Sequence, residues 1–297
     1  MHQYNNRNFF KLVLSLKKSD TLKILFPSIM GMAVYSFGIY YLEVVYLKLS
    51  KNSSVVNVSL VHSLIGFVLS LLLVFRTNTA YERWWEGRKL WGQLANDSRN
   101  LAVKLNALLA VEQDGQRQDR AFFWESLSSF PFSLSKHLSE KSTRMRLDEH
   151  FSGKRKESVK DYVPPVEIIK NMVRRLTEIH KKGIISGEEL FFLDRQVSGF
   201  LDVCGGCERI KNTPIPISYS SFVKKFIMTY SLTLPVAYAI NIGWIMVFIT
   251  CFVFYVLMSL EIIAEEIEDP FNNDENDIPT EKIAQDISQS IETIFNT

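Results

Sequence analysis

Apolar residues along this chain are bunched rather than spread. Three stretches run without a fixed charge. Ile24 to Leu42 lies between Lys23 and Glu43. Val55 to Phe75 is closed by Arg76 and holds only His62 as an ionisable group. Phe226 to Leu260 lies between Lys225 and Glu261. A bilayer core asks for roughly 20 consecutive apolar residues in helix. The third stretch is too long for one crossing. Asn241-Ile242-Gly243, near its middle, suits a tight hairpin and divides it into spans of about 224–240 and 244–262. The pattern therefore predicts an all-α membrane protein with four transmembrane helices. The first stretch starts too deep, and is followed by too many further spans, to be a removable signal peptide.

The water-facing parts also read as helix. Nothing between Phe67 and Glu86 breaks a helix, and apolar residues keep helical spacing from Asn78 to Leu109. Span 2 is therefore expected to run straight on out of the bilayer. Residues 138–161 are polar and charged and read as a surface segment. Pro164-Pro165 opens a helix over 165–182 that Gly183 ends. Ser186, with Glu189 three residues on, has capping-box spacing and starts the next helix, Gly187 to Lys211. Pro214 and Pro216 stop it before span 3. After span 4 the chain turns at Pro270, passes an acidic loop and ends in a helix. The organisation expected is an N-terminal arm (1–23), spans 1 and 2 (24–76), a helical domain (77–223), spans 3 and 4 (224–263) and a tail (264–297).

Charge adds an orientation. Arg7, Lys11, Lys17, Lys18 and Lys23 precede span 1. Arg76, Arg83, Arg88 and Lys89 follow span 2, and Lys224 and Lys225 precede span 3. The loop after span 1 has only Lys48 and Lys51, and the hairpin between spans 3 and 4 has no charge. Positive residues favour the cytoplasm, so both termini and the middle domain are expected there. The net charge of +2 gives no sign of a nucleic-acid partner. Three cysteines imply no disulfide framework. Cys204-Gly205-Gly206-Cys207 is a C-x-x-C without a second ligand pair, and two small thiols in a close-packed helix turn are the simpler reading. The five histidines are scattered. With no nucleophile elbow, phosphate loop or metal spacing, an enzyme is not indicated. His62 alone lies in a span, where Ser59 three positions earlier can satisfy it.

Several motifs carry a resemblance. Phe75-Arg76-Thr77-Asn78-Thr79-Ala80-Tyr81-Glu82-Arg83-Trp84-Trp85-Glu86-Gly87-Arg88 leads into Leu90-Trp91-Gly92. Gly206-Cys207-Glu208-Arg209-Ile210 precedes Asn212-Thr213-Pro214-Ile215-Pro216. Glu268-Asp269-Pro270-Phe271 is followed by Asn276-Asp277-Ile278-Pro279. In order and spacing these resemble the bestrophin family of ion channels, in its bacterial branch. The resemblance implies a homopentamer around one central pore lined by span 2, with a hydrophobic neck. Matched onto this chain, the neck is Phe67, Leu71 and Phe75. Positions i, i+4 and i+8 share a helix face, and the stripe extended upward reads Ser59 and Ser63, an outer vestibule. A second, cytoplasmic aperture maps to Gly183-Ile184-Ile185-Ser186, with Ile185 the choice and Ile184 the alternative. A hydrophobic staple on the following helix explains the same pair.

The family also implies what passes. Chloride and other small anions are its main cargo, and bacterial members resembling this chain pass monovalent cations such as sodium. An apolar neck carries no charge to choose between them. Asp274, Glu275 and Asp277 resemble the calcium clasp of eukaryotic relatives, but Asn272 and Asn273 depart from its pattern. A solvated acidic turn without calcium is the default. Arg76, Arg83 and Trp84-Trp85 read as an interfacial anchor, or as a cuff that transmits movement to the neck. The reading from another class is a membrane scaffold or sensor whose cytoplasmic helical domain binds a soluble partner. In either case the partners include the lipid bilayer.

Overall fold

The structure, a computed structural model, describes residues 21–49, 58–109, 114–139, 163–272, 274 and 276–296. The basic residues of the N-terminal arm before Thr21, Lys51 and most of the polar 138–161 segment lie outside them. All regular structure among the described residues is helical. In chain order it comprises α1 (Thr21–Tyr40), a π-helical turn (Tyr41–Tyr46), α2 (Val58–Leu108), α3 (Asp114–Ser139), α4 (Pro165–Lys181), α5 (Gly187–Asn212), α6 (Ile217–Ile242), a short 3-10 turn (Gly243–Ile245), α7 (Met246–Glu268) and α8 (Thr280–Asn296).

Three described segments are long and apolar enough to cross a bilayer: Thr21–Tyr46, Ser59–Leu108 and Ile217–Glu268. The last is broken where the hairpin was expected. Gly243 adopts φ +72°, a backbone region that residues with a Cβ seldom enter, and α6 stops there. The helix of span 2 is uninterrupted for 51 residues. It has no interior proline, and its threonines 77 and 79 return their hydroxyls to the carbonyls four residues back, at 2.9 Å. The capping box at Ser186 is complete. Ser186 Oγ accepts from the Glu189 N–H at 3.1 Å, and the Glu189 carboxylate accepts from the Ser186 N–H at 2.7 Å.

The chain divides into two units, Met1–Glu82 with Ile215–Glu268, and Arg83–Pro214 with Asp269–Thr297. In the first, α1 packs on α6 and α7, and α6 packs on α7. Tyr35 Oη donates to the Leu232 carbonyl at 3.0 Å, and Ser259 Oγ donates to Thr21 Oγ1 at 3.0 Å. The first part of α2 joins through Leu69 and Leu73, which meet Val223 and Ile227 of α6.

The second unit has its own apolar core. Trp91, Leu94 and Leu101 of α2 pack with Phe123 and Phe130 of α3, Met172 and Leu176 of α4, Phe200 of α5 and Ile287 of α8. Helix α8 lies along α3. Arg120 crosses between them and donates to the Phe295 carbonyl at 2.8 Å, where the end of α8 leaves carbonyls without helical donors. Fully buried Asp119 is matched by Arg175 of α4, at 2.5 Å. Cys204 and Cys207 lie buried in this core. Burial, reinforced by Glu208, pushes the Cys204 thiol up to about 12, and burial raises Cys207 as well. Both are held as thiols at neutral pH, which removes the nucleophilic form that redox chemistry needs.

Candidate functional site

The candidate pore face is legible from how α2 sits in its unit. An α-helix turns about 100° per residue. His62, Leu69, Leu73, Arg76 and Ala80 are all buried, and at that rotation they fall within a sector of about 60°. This is the face α2 turns inward. Phe67, Leu71 and Phe75 fall on the opposite side, centred about 180° away. Their exposures are 71%, 47% and 56%, so the described residues leave them largely uncovered. Other apolar residues of α2, including Leu64 and Val68, are exposed too. Exposure alone therefore does not single the three out. Exposed Leu60 and Leu64 point the same way, so position opposite the packed face admits the three as a stripe without singling them out.

The upward extension of the stripe does not hold its direction. Each four-residue step drifts by about 40°, so two steps above Phe67 the stripe has turned toward the packed face. The contacts report this drift. Ser63 Oγ lies 3.0 Å from Tyr238 Oη of α6, and Tyr238 Oη donates to the Ser59 carbonyl at 3.1 Å. Ser59 and Ser63 thus belong to an α2–α6 contact, although Ser63 stays exposed. His62 belongs there as well, and its partner is not Ser59. Its Nε2 lies 3.0 Å from the Tyr230 carbonyl, which can only accept. Its ring stacks on Tyr230, with centroids 4.1 Å apart. Gly66 makes room for that tyrosine, since a Cβ there would come within 2.6 Å of Tyr230 Oη.

One feature of the site has no local signature in sequence. Arg76, next to Phe75, is 1% exposed and meets two carboxylates of α7. Its NH2 lies 2.7 Å from Glu268 Oε2, and its Nε lies 3.5 Å from Glu261 Oε2. The other oxygen of Glu268 accepts the Ile215 N–H at 2.8 Å, in the segment that enters α6. Lys224 of α6 meets Glu265 of α7 at 2.7 Å, more exposed. In the sequence Glu261 is visible only as the polar end of span 4, and Glu268 only as the start of the Glu268-Asp269-Pro270-Phe271 motif.

Arg83 and the tryptophans lie in the second unit. Arg83 donates to the carbonyls of Ile210 and Thr213, at 2.6 and 2.7 Å, and so caps the end of α5. Trp84 Nε1 donates to the Asn276 carbonyl at 3.0 Å, and its ring stacks on Trp85. Glu86 pairs with Arg209. Arg76 and Arg83 therefore have separate tasks, an ion pair and a helix cap.

At the candidate aperture the two isoleucines differ. Ile185 is 3% exposed and part of the apolar core, whereas Ile184 is half-buried at its edge. Ile184 is the more accessible of the two and is the one carried forward as the candidate for the aperture.

In the acidic loop, Glu275 lies outside the described residues. Asp277 Oδ2 accepts the Asp274 N–H at 2.7 Å, which closes a turn. No three His, Cys, Asp or Glu residues among those described are grouped to hold a metal. Burial pushes the Asp277 carboxyl up to about 6, with the charges of Asp274 and Asp269 adding to the rise. The folded protein thus holds this proton more tightly than the unfolded chain, whose aspartates titrate near 3.9. The stabilisation is full below about pH 4 and is lost as pH rises through about 6. In detergent, thermal stability compared at pH 5 and pH 8 is expected to fall less in Asp277→Asn than in wild type. An unchanged difference would show that Asp277 titrates normally.

Comparison with known proteins identifies a family. The model of a family described as bacterial/fungal bestrophin proteins matches residues 1–293. A voltage-dependent anion channel-forming protein of Synechocystis is 34% identical over 77% of this chain and 75% of its own length. One of Mesorhizobium japonicum is 32% identical over 91% and 84%. Among solved structures, a bacterial bestrophin homologue from Klebsiella pneumoniae superposes with a TM-score of 0.74. It covers 91% of this chain and 98% of its own at 22% identity, a likeness of fold. With a family match over nearly the whole length, and a fold that follows it, this chain belongs to the bacterial and fungal bestrophin family.

Proposed function

We propose that the protein is an ion channel of the cell membrane, passing small anions such as chloride through a homopentamer. It is not an enzyme. Each subunit crosses the bilayer four times, through α1, α2, α6 and α7, and keeps both termini and the second unit in the cytoplasm. Five-fold symmetry sets one α2 per subunit around a single axis. Phe67, Leu71 and Phe75 then form three stacked rings, the neck, and Ile184 forms a narrower ring toward the cytoplasm.

The observation that carries this reading is the exposed apolar stripe of Phe67, Leu71 and Phe75, opposite the face α2 packs inward. A helix held by its own subunit on one side and apolar on the other needs lipid or a second copy there. An apolar constriction can gate by dewetting. Several relatives are named anion channel-forming proteins, which favours anions as cargo. The neck has no fixed charge, so the sign of the permeant ion rests on ring dipoles and pore width.

Purified protein in a planar bilayer under a KCl gradient tests the proposal. The reversal potential is expected near the chloride equilibrium potential. A value near that of potassium would replace anions by monovalent cations. Absence of current from assembled protein would favour a membrane scaffold whose cytoplasmic helices bind a soluble partner.

A further inference from the structure

We infer that Arg76 is the positioning residue of the lowest neck ring, a directional clamp that fixes how far α2 is rotated and therefore where Phe75 points. This rests on the channel reading above. The clamp has three members. Arg76 NH2 meets Glu268 Oε2 at 2.7 Å, and Arg76 Nε faces Glu261 Oε2 at 3.5 Å. Glu268 Oε1 accepts from the Ile215 N–H at 2.8 Å. One guanidinium and one carboxylate thus join α2, α7 and the strand of chain entering α6.

The contacts of this face of α2 in the two turns next to Arg76 are of a different kind. Leu69 and Leu73 meet Val223 and Ile227 through aliphatic surface. Such contacts are nearly indifferent to small rotations of a helix about its axis, because dispersion and burial have no direction. The ion pair does have direction, since both buried carboxylates lie on the one side of α2 that Arg76 faces and attraction between charges falls with distance. Residues 75 and 76 are neighbours on a stiff helix, about 100° apart. Holding the azimuth of Arg76 holds that of Phe75.

Stability alone is a poor reason for this arrangement. Side chains of Arg76 and Glu261 are wholly buried and that of Glu268 nearly so. Apolar residues of the same volume serve a buried site as well as an ion pair does, or better. What charge adds is a preferred orientation. The cluster also has two carboxylates to one guanidinium, about two turns apart on α7, and Arg76 reaches both at once.

The test combines gating with a probe that needs no current. Arg76→Gln, Arg76→Lys and Glu268→Gln are made in the full chain, with and without Phe75→Ala. Glu268→Gln keeps an acceptor for the Ile215 N–H, so it isolates the charge. Arg76→Gln is expected to change open probability roughly tenfold while unitary conductance stays near wild type. Arg76→Lys restores most of the difference, and Glu268→Gln follows Arg76→Gln at reduced size. In the Phe75→Ala background the effect of Arg76→Gln vanishes. In parallel, 4-fluorophenylalanine at position 75 is followed by fluorine NMR in detergent. Its resonance is expected to shift or split in Arg76→Gln and Glu268→Gln, and a second label at Phe200 does not move.

Unchanged gating and an unchanged resonance at position 75, in either charge variant, would overturn the clamp. So would an Arg76→Gln effect that persists in full when Phe75 is alanine. If Arg76→Gln fails to assemble, Glu268→Gln carries both readouts. A wild type without current, whose position-75 resonance still responds to Glu268→Gln, would remove the channel reading and leave the clamp standing.

Discussion

Replacing Phe67, Leu71 and Phe75 together by alanine is expected to raise open probability or unitary conductance on the order of tenfold, because an apolar constriction limits flow by expelling water. Two features make the experiment interpretable. The three side chains lie away from the packed face of α2 and are largely exposed within the subunit, so their truncation opens no cavity in its core. Alanine is the best helix former, so α2 gains rather than loses helical preference. A loss of function would then not be explained by unfolding of the subunit. The single substitutions are expected to rank by how far each ring narrows the conduit, with the phenylalanines ahead of the leucine. An assembled triple variant that conducts like wild type would show that these residues do not form the constriction.

The largest effect on stability is expected in the second unit, at Phe200. It is fully buried and meets the Phe130 ring edge to face, with centroids 5.0 Å apart and planes at 78°. Phe200→Ala removes a ring from a close-packed core and is expected to destabilise by about 3–5 kcal/mol. Four of the five tryptophans, Trp84, Trp85, Trp91 and Trp124, belong to this unit. Denaturation in detergent followed by tryptophan fluorescence therefore reports it directly. Phe130→Ala should cost a similar amount. The double variant should fall short of the sum by about 0.5–1.5 kcal/mol, the worth of the aromatic pair. A loss under about 1 kcal/mol for Phe200→Ala would mean the site collapses around the missing ring.

The channel reading and the clamp place different demands on α2. The neck rings must be free of their own subunit, so that five copies can meet across an axis. The opposite face must be held, so that the rings stay aimed at that axis. Leu69 and Leu73 supply adhesion, and Arg76 with Glu261 and Glu268 supplies direction. Farther up, His62, Ser59 and Ser63 add polar contacts to Tyr230 and Tyr238 of α6. The inward face of α2 is thus polar at both ends of its apolar stretch and aliphatic between. Near the start of α2 the polar contacts are hydrogen bonds; beside Phe75 they are ion pairs.

Much of this was legible in the order of residues, and the reason is local. Apolar runs, the Gly243 break, the Ser186–Glu189 capping box and the unbroken course of α2 each depend on residues within a few positions of one another. Backbone hydrogen bonding and burial in a bilayer act on that scale. What the tertiary structure alone decided is which side of each element faces what. Arg76 found its partners on α7, 185 and 192 positions away, and His62 found its own on α6. Ile184 and Ile185 are indistinguishable by composition, and only the packing of the core assigns one inward and the other to its edge. Ser59 and Ser63 extend the neck stripe on paper, but a helix of 3.6 residues per turn carries an i+4 row steadily around its axis. Local hydrogen bonds set the elements. The rotation of each element follows from contacts between residues far apart in the chain.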